Sequence, residues 1–297
     1  MLAGTRRKSE DGNKSKMREM NEINTYTEFT RSYSLKSRIK LMARDLSIAA
    51  LSLKYSIDSS TNWIRMIYYH HVFDDERLDF ERQLNYLKKY GEFISMDQVY
   101  EMVSGKAPIE GRYFCVTFDD GFHNTYSNMM EITSRLQIPV IIYLPTDYIG
   151  NEPGELDYGL VYERFAPGNT LLLRFLNWDQ CREMLNHQIS FGAHTTGHPI
   201  LSTLNRSQVE HELVESRRII EKELGIPCPH FACPRGEIGR DFDPDITKEL
   251  AIKSGYKTVV TTVSGITREG DDPYLLKRRH LLAKWGNYQI KYFFGRT

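Results

Sequence analysis

From residue 63 to residue 297 the chain alternates apolar, strand-like runs with helix-like segments, and no other feature constrains its fold as tightly. Strands are predicted over 65–69, 113–118, 140–144, 189–193, 230–233, 256–261 and 275–282. Helices are predicted between them, over 79–90, 96–103, 124–135, 178–186, 207–224 and 244–253. The helix over 207–224 carries the fullest set of signals. Ser207 with Glu210 has the spacing of a capping box, Val209, Leu213, Ile220 and Leu224 form an apolar stripe, and Gly225 stops the helix. Strand–helix alternation on this scale predicts one α/β domain, with the strands parallel and closed into a distorted barrel of about seven strands.

The first 62 residues read differently. Residues 1–33 are polar and charged, with few branched apolar residues, and are expected to be loosely attached. Between Ser34 and Tyr55, Leu35, Ile39, Met42, Leu46 and the pair Ala49/Ala50 recur at helical spacing, with Lys36, Arg38, Lys40 and Arg44 among them. Such a basic amphipathic helix either packs on the outside of the domain or lies on an anionic membrane surface. The division expected is therefore an extension over 1–62 and a catalytic domain over 63–297.

Lys plus Arg and Asp plus Glu are both 39, so no global charge excess points to nucleic acid or to an acidic solvating tail. Arg6, Arg7 and Lys8 are followed by Glu10, Asp11, Asn13, Lys14 and Lys16 rather than by an apolar core, so no secretory signal is read. No apolar run is long enough to span a bilayer. Cys115, Cys181, Cys228 and Cys233 are read as reduced, buried thiols; C-x4-C between the last two is a poor zinc motif without a second pair. The expected location is cytoplasmic, with peripheral membrane contact through residues 34–55.

Three segments that follow predicted strands carry the chemistry, at the strand ends where α/β folds place their sites. In Thr117-Phe118-Asp119-Asp120-Gly121, two adjacent carboxylates end a buried strand, which is costly unless they are used. One can bind a cation while the other accepts a proton. In His194-Thr195-Thr196-Gly197-His198, two imidazoles four residues apart converge on one metal if the loop curls as a helical turn. With Asp120 they complete a donor set suited to zinc or a similar divalent ion. In Phe231-Ala232-Cys233-Pro234-Arg235-Gly236, Pro234 fixes a turn that leaves the Arg235 amide able to face a ligand.

This order of motifs resembles the polysaccharide deacetylases, the NodB-homology domain of carbohydrate esterase family four. The likeness runs from Met66-Ile67-Tyr68-Tyr69-His70 to Leu276–Leu282 and takes in Trp178-Asp179-Gln180 and His198-Pro199-Ile200-Leu201. It implies a distorted (β/α) barrel and hydrolysis of an N-acyl group on an amino sugar, in a polysaccharide or a lipid-linked glycan. It also implies Asp119 as general base, and Asp120, His194 and His198 as ligands of a divalent metal, zinc being the ion expected.

The third motif departs from the family pattern. The arginine that usually steadies the catalytic aspartate is missing from its place, and Arg278 or Arg279 stands in the last predicted strand as a substitute. The family's acid histidine has no clear counterpart: His280 is the candidate, with His70, His71 or bound water as alternatives. His70, Arg235, Arg278 and Arg279 are read as substrate-binding, and His123, His187, His211 and His230 as surface or packing residues. Two other readings stay open: a hydrolase of a non-sugar amide on the same fold, and a non-catalytic carbohydrate-binding protein with a degenerate site.

Overall fold

The computed structural model describes residues 22–31, 35–57, 60, 62–150, 158–159 and 173–295. Seven strands form one parallel sheet: β1 (Trp63–Tyr69), β3 (Arg112–Phe118), β4 (Val140–Leu144), β7 (Ile189–Ala193), β8 (His230–Ala232), β9 (Thr258–Val260) and β10 (Arg278–His280). Their spatial order is β10-β1-β3-β4-β7-β8-β9. A parallel bridge from Val260 to Leu276, just ahead of β10, brings the two edges together into a nearly closed barrel. A short β2 (Glu92–Phe93) adds to β3, and β5 (Tyr158–Gly159) pairs antiparallel with β6 (Leu173–Arg174) outside the barrel.

Helices α3 (Arg77–Leu87), α4 (Met96–Val103), α5 (Met130–Arg135), α6 (Trp178–Met184), α7 (Arg206–Leu224) and α8 (Pro244–Lys253) follow the strands. Every residue of β1 and β4 is buried, as a sheet covered on both faces requires. Because the strands are parallel, the ends of β1, β3, β7 and β10 open on one rim. That shared rim gathers residues far apart in sequence.

Several sequence expectations need correction. The cap of α7 is Asn205, which exchanges hydrogen bonds with Gln208; Ser207 instead hydrogen-bonds the Asn205 side chain. The last strand spans three residues rather than the eight of 275–282, and Leu276 ahead of it hydrogen-bonds Val259 of β9 instead. The helix over 124–135 opens with a π-turn, Thr125–Met129, before α5.

The expected loose tail over 1–33 lies outside the described residues at 1–21 and 32–33, but 22–31 is an ordered arm. Its one-turn helix α1 (Tyr26–Phe29) is capped by a Thr25–Glu28 box. Asp75 accepts from Tyr26 N (2.7 Å), Thr27 N (3.2 Å) and Thr27 Oγ1 (2.9 Å), anchoring the arm beside β1. A carboxylate at the start of a short helix satisfies its open N–H groups, which polarity counting alone does not reveal.

Helix α2 (Leu35–Ser52) packs against a helix the sequence reading missed, α9 (Asn287–Gly295). Asp45 accepts from Tyr288 Oη and Gln289 Nε2, both at 2.6 Å, and Ile48 is buried. Of the two placements expected, the helix packs on the domain, but its apolar stripe faces out: Ile39, Met42 and Leu46 are 59%, 67% and 72% exposed. No helix among the described residues is long and apolar enough to cross a membrane. All four cysteines are free and buried.

Candidate active site

Asp119 and Asp120 leave the end of β3 in opposite environments. The Asp119 carboxylate is gripped by Arg278 of β10, Oδ1 to Nη1 at 2.7 Å and Oδ2 to Nη2 at 2.8 Å. The guanidinium is fully buried and also donates to Thr117 Oγ1 and the Thr261 carbonyl, with Tyr68 and Tyr143 rings over it at 4.6 and 5.5 Å. Burial alone would raise the Asp119 pKa, but the Arg278 charge and hydrogen bonds, with the His194 and His70 charges, together outweigh it and hold the carboxyl below its ordinary value.

Asp120 takes a left-handed backbone, φ 74°, followed by Gly121 at φ 65°. That turn aims the second carboxylate at the histidine loop. Asp120 Oδ1 stands 3.4 Å from Nε2 of both His194 and His198, and among the described residues it has no hydrogen-bond partner. Ligand atoms of the three residues lie within 4.8 Å of one another, all buried. The two imidazoles do converge, though not through the helical turn expected. Thr195 at φ 67° and His198 at φ 55° turn the loop through left-handed residues, and Thr195 Oγ1 accepts from His198 N at 3.0 Å.

The set fits a divalent cation on its own geometry. His194 Nδ1 lies 2.8 Å from the Ala232 carbonyl, which can only accept, so that nitrogen carries the proton and Nε2 is left as a donor atom. Burial holds the His198 pKa down at about 3, the neutral form a ligand needs. His194 moves the other way: burial works to lower its pKa, but the close Asp120 carboxylate and the Asp119 charge raise it. An orphaned carboxylate oxygen facing two imidazole nitrogens is what one cation between them would resolve.

Sequence reading missed the support of this loop. Glu212, on α7, accepts from Thr196 N and Thr196 Oγ1 at 2.8 Å each and from Gly197 N at 3.3 Å. Nothing in the sequence distinguishes it from the other charged residues of that helix.

The remaining candidates separate by position. His70 sits on the rim with Nε2 3.8 Å from Asp120 Oδ2 and Nδ1 3.3 Å from His280 Nε2. Burial, and then the neighbouring His70, push the His280 pKa down to about 3. His71 is stacked between Phe73 and Phe122, at 4.7 and 4.2 Å, and hydrogen-bonds Asn124, an arrangement that makes it part of the wall. Arg235, at φ 60°, lines the same cavity as the two aspartates, with its carbonyl held by Thr262 Oγ1. Arg279 points away, over the Phe293 ring at 5.7 Å, and does not line the cavity. The arginine beside Asp119 is therefore Arg278. Of the four histidines set aside as structural, His230 is buried and bonded to Thr258 Oγ1 and Asp97.

A cavity of about 410 Å³ joins these groups, with the aspartates and histidines on one side and Tyr26, Phe29 and Phe73 on another. This arrangement places three side chains able to hold a metal ion beside an ionised carboxylate. The sequence pattern of the family described as "Polysaccharide deacetylase" matches residues 106–259, more than half of the chain, and the protein belongs to that family. YxkH of Bacillus subtilis (strain 168), named provisionally as a polysaccharide deacetylase, is 21% identical over 244 residues, 77% of this chain and 78% of its own length. The fold matches the deacetylase PplD of Streptococcus pyogenes, solved in complex with acetate, with TM-score 0.62 and 21% identity over 78% of this chain and 97% of the other. It also matches IcaB from Ammonifex degensii, with TM-score 0.64 and 20% identity over 79% and 97%.

Proposed function

We propose that this protein is a metal-dependent N-deacetylase that removes the acetyl group from an amino sugar in a polysaccharide or lipid-linked glycan. The observation that carries the reading is the buried Asp120, His194 and His198 set placed beside an aspartate locked on an arginine. In this reading residues 63–297 are the catalytic domain and 1–62 an extension of it. Asp120, His194 and His198 hold a divalent ion, zinc by the chemistry of its donors. Such an ion, when bound, supplies Lewis acidity to the amide carbonyl and makes a water easier to deprotonate.

The chain's own residues do the rest. Asp119 accepts the proton of the attacking water, and Arg278 keeps it ionised and aimed. The leaving amine takes a proton from the His70–His280 pair, whose facing nitrogens, Nδ1 and Nε2, lie 3.3 Å apart. His70 is the member open to the cavity, with 34% of its side chain exposed. Arg235, which lines the same cavity, binds substrate oxygens.

The outward stripe of α2, with Leu53 beyond it at 82% exposure, rests on the anionic inner face of a cell membrane in this proposal. Lys36 and Lys40, both exposed, and Arg44 flank the stripe and complement that charge. Sedimentation with phosphatidylglycerol and phosphatidylcholine vesicles tests it: the protein should pellet with the first only.

Acetate release from N-acetylhexosamine oligomers and from simple amides, with and without a chelator, tests the enzyme reading. Chelator-sensitive release from the sugars is the expected result. Release from simple amides alone would move the substrate outside carbohydrates.

A further inference from the structure

The catalytic cavity has one wall that the barrel does not supply. Tyr26 and Phe29 of the arm, both half-buried, line it together with the catalytic groups. Their rings continue a series that starts at the site: His70 to His71 at 6.5 Å, His71 to Phe29 at 5.6 Å, Phe29 to Tyr26 at 6.3 Å. Phe73 backs both arm rings, at 5.3 Å from Phe29 and 6.3 Å from Tyr26. In this series Phe29 reaches the catalytic end through His71, so an occupant of the arm wall lies beyond the sugar being deacetylated.

The wall is amphipathic. Lys284 Nζ stands 3.9 Å from the centre of the Tyr26 ring, and the buried carboxyl of Glu76 lines the same cavity. Tilted aromatic faces with a cation over one of them and a carboxyl beside them are complementary to a pyranose, which has one face of C–H groups and a rim of hydroxyls. An acyl chain would leave those polar groups unmatched.

We propose that Tyr26 and Phe29 form an aromatic subsite for a second sugar ring, so that the enzyme prefers an oligomeric glycan to a single amino sugar. This rests on the deacetylase reading for the identity of the first ring. Asp75 is then a positioning residue, because it holds the arm in place through Tyr26 N and Thr27.

The test compares kcat/KM for N-acetylglucosamine with that for its β-1,4- and β-1,6-linked tetramers. Wild type should prefer a tetramer, and Phe29→Ala should lower the tetramer-to-monomer ratio about tenfold, the scale of a lost ring contact with its buried area. Phe29→Tyr should restore the ratio, and Asp75→Ala should mimic Phe29→Ala. A wild type without tetramer preference, or a ratio unchanged in Phe29→Ala, overturns the subsite. If no sugar releases acetate, the deacetylase reading fails on its own. Calorimetry of tetramer binding then decides the subsite: weaker binding in Phe29→Ala supports it, and equal or absent binding overturns it.

Discussion

Asp119 and Asp120 are neighbours in one turn, yet the protein treats their carboxylates in opposite ways. Asp119 has both oxygens bonded to a buried guanidinium, while Asp120 presents an oxygen with no hydrogen-bond partner among the described residues to two imidazoles. Burial raises the pKa of each, and in each it is outweighed. For Asp119 the counterweight is Arg278 together with the nearby His194 and His70; for Asp120 it is the close His194 imidazole and then the charges of the surrounding histidines. One carboxylate is finished by the fold, and the other, in the proposed reading, is completed by a cation. A base must be ionised and fixed before its substrate arrives, whereas a metal ligand is completed by what binds it.

Exchanging the two aspartates for asparagine is the strongest way to break this contrast. Asp119→Asn should keep its metal and lose about 10²–10⁴-fold in turnover, because the amide cannot accept the proton. Asp120→Asn should lose the metal itself. Metal content by atomic absorption beside acetate release decides, and a metal-free Asp119→Asn protein would reverse the roles.

Arg278→Ala comes next. Stranding a buried carboxylate costs roughly 3–5 kcal/mol, visible as a lower melting temperature. Because Arg278 holds the Asp119 pKa down, its removal should also shift the onset of activity to higher pH. The sign follows for stability. A carboxyl with a depressed folded pKa stabilises above its unfolded value of about 3.9 and loses that stabilisation as pH falls through the folded value. The variant should therefore lack this acid-sensitive part of the wild-type curve. Arg279→Ala, whose side chain lies on Phe293, should leave the pH onset unchanged.

On the Asp120 side, Glu212→Gln should weaken metal affinity about tenfold, the lower end for residues that orient ligands. Its carboxylate carries three donors of the loop between His194 and His198. Competition with a fluorescent zinc chelator reads this directly. Unchanged affinity would mean that the left-handed turns hold the loop unaided. Metal occupancy of the wild type should also fall as pH drops below neutrality, because the His194 pKa is raised and protons compete for its ligand nitrogen.

The smallest effect sharpens the comparison with a third carboxyl. Glu76 accepts from Phe73 N and Lys284 N, but burial still raises its pKa to about 7. Between its unfolded value of about 4.3 and that folded value, the native state holds the extra proton, so stability falls as pH rises through this window. Glu76→Gln should flatten that part of the curve in pH-dependent thermal melts.

The residues legible in the sequence were those whose meaning is local. Two aspartates and a glycine in a row, or two histidines four apart, carry their spacing with them. Arg278 and Arg279 could not be separated that way, because the choice depends on which face of β10 looks into the barrel, and register with β1 sets that choice (Met66 opposite Arg278). The arm was misread because its order comes from Asp75, some 48 residues away, rather than from its own composition. Helix α2 was legible as a helix but not in its orientation: Asp45, bonded to Tyr288 and Gln289, turned the apolar stripe outward.

The pairing of Asp119 with Arg278 spans 159 residues of sequence, which gives the site a place in time as well as in space. A ribosome emits a chain at about 5–20 residues per second, and earlier parts begin to fold first. Both aspartates and both histidines will have emerged while the last strand is still unmade. During that interval Asp119 has no guanidinium to keep it ionised and fixed in direction. In the proposed reading, the nascent protein is then able to gather its metal ligands before it possesses an oriented base, and it becomes competent only when β10 closes the barrel.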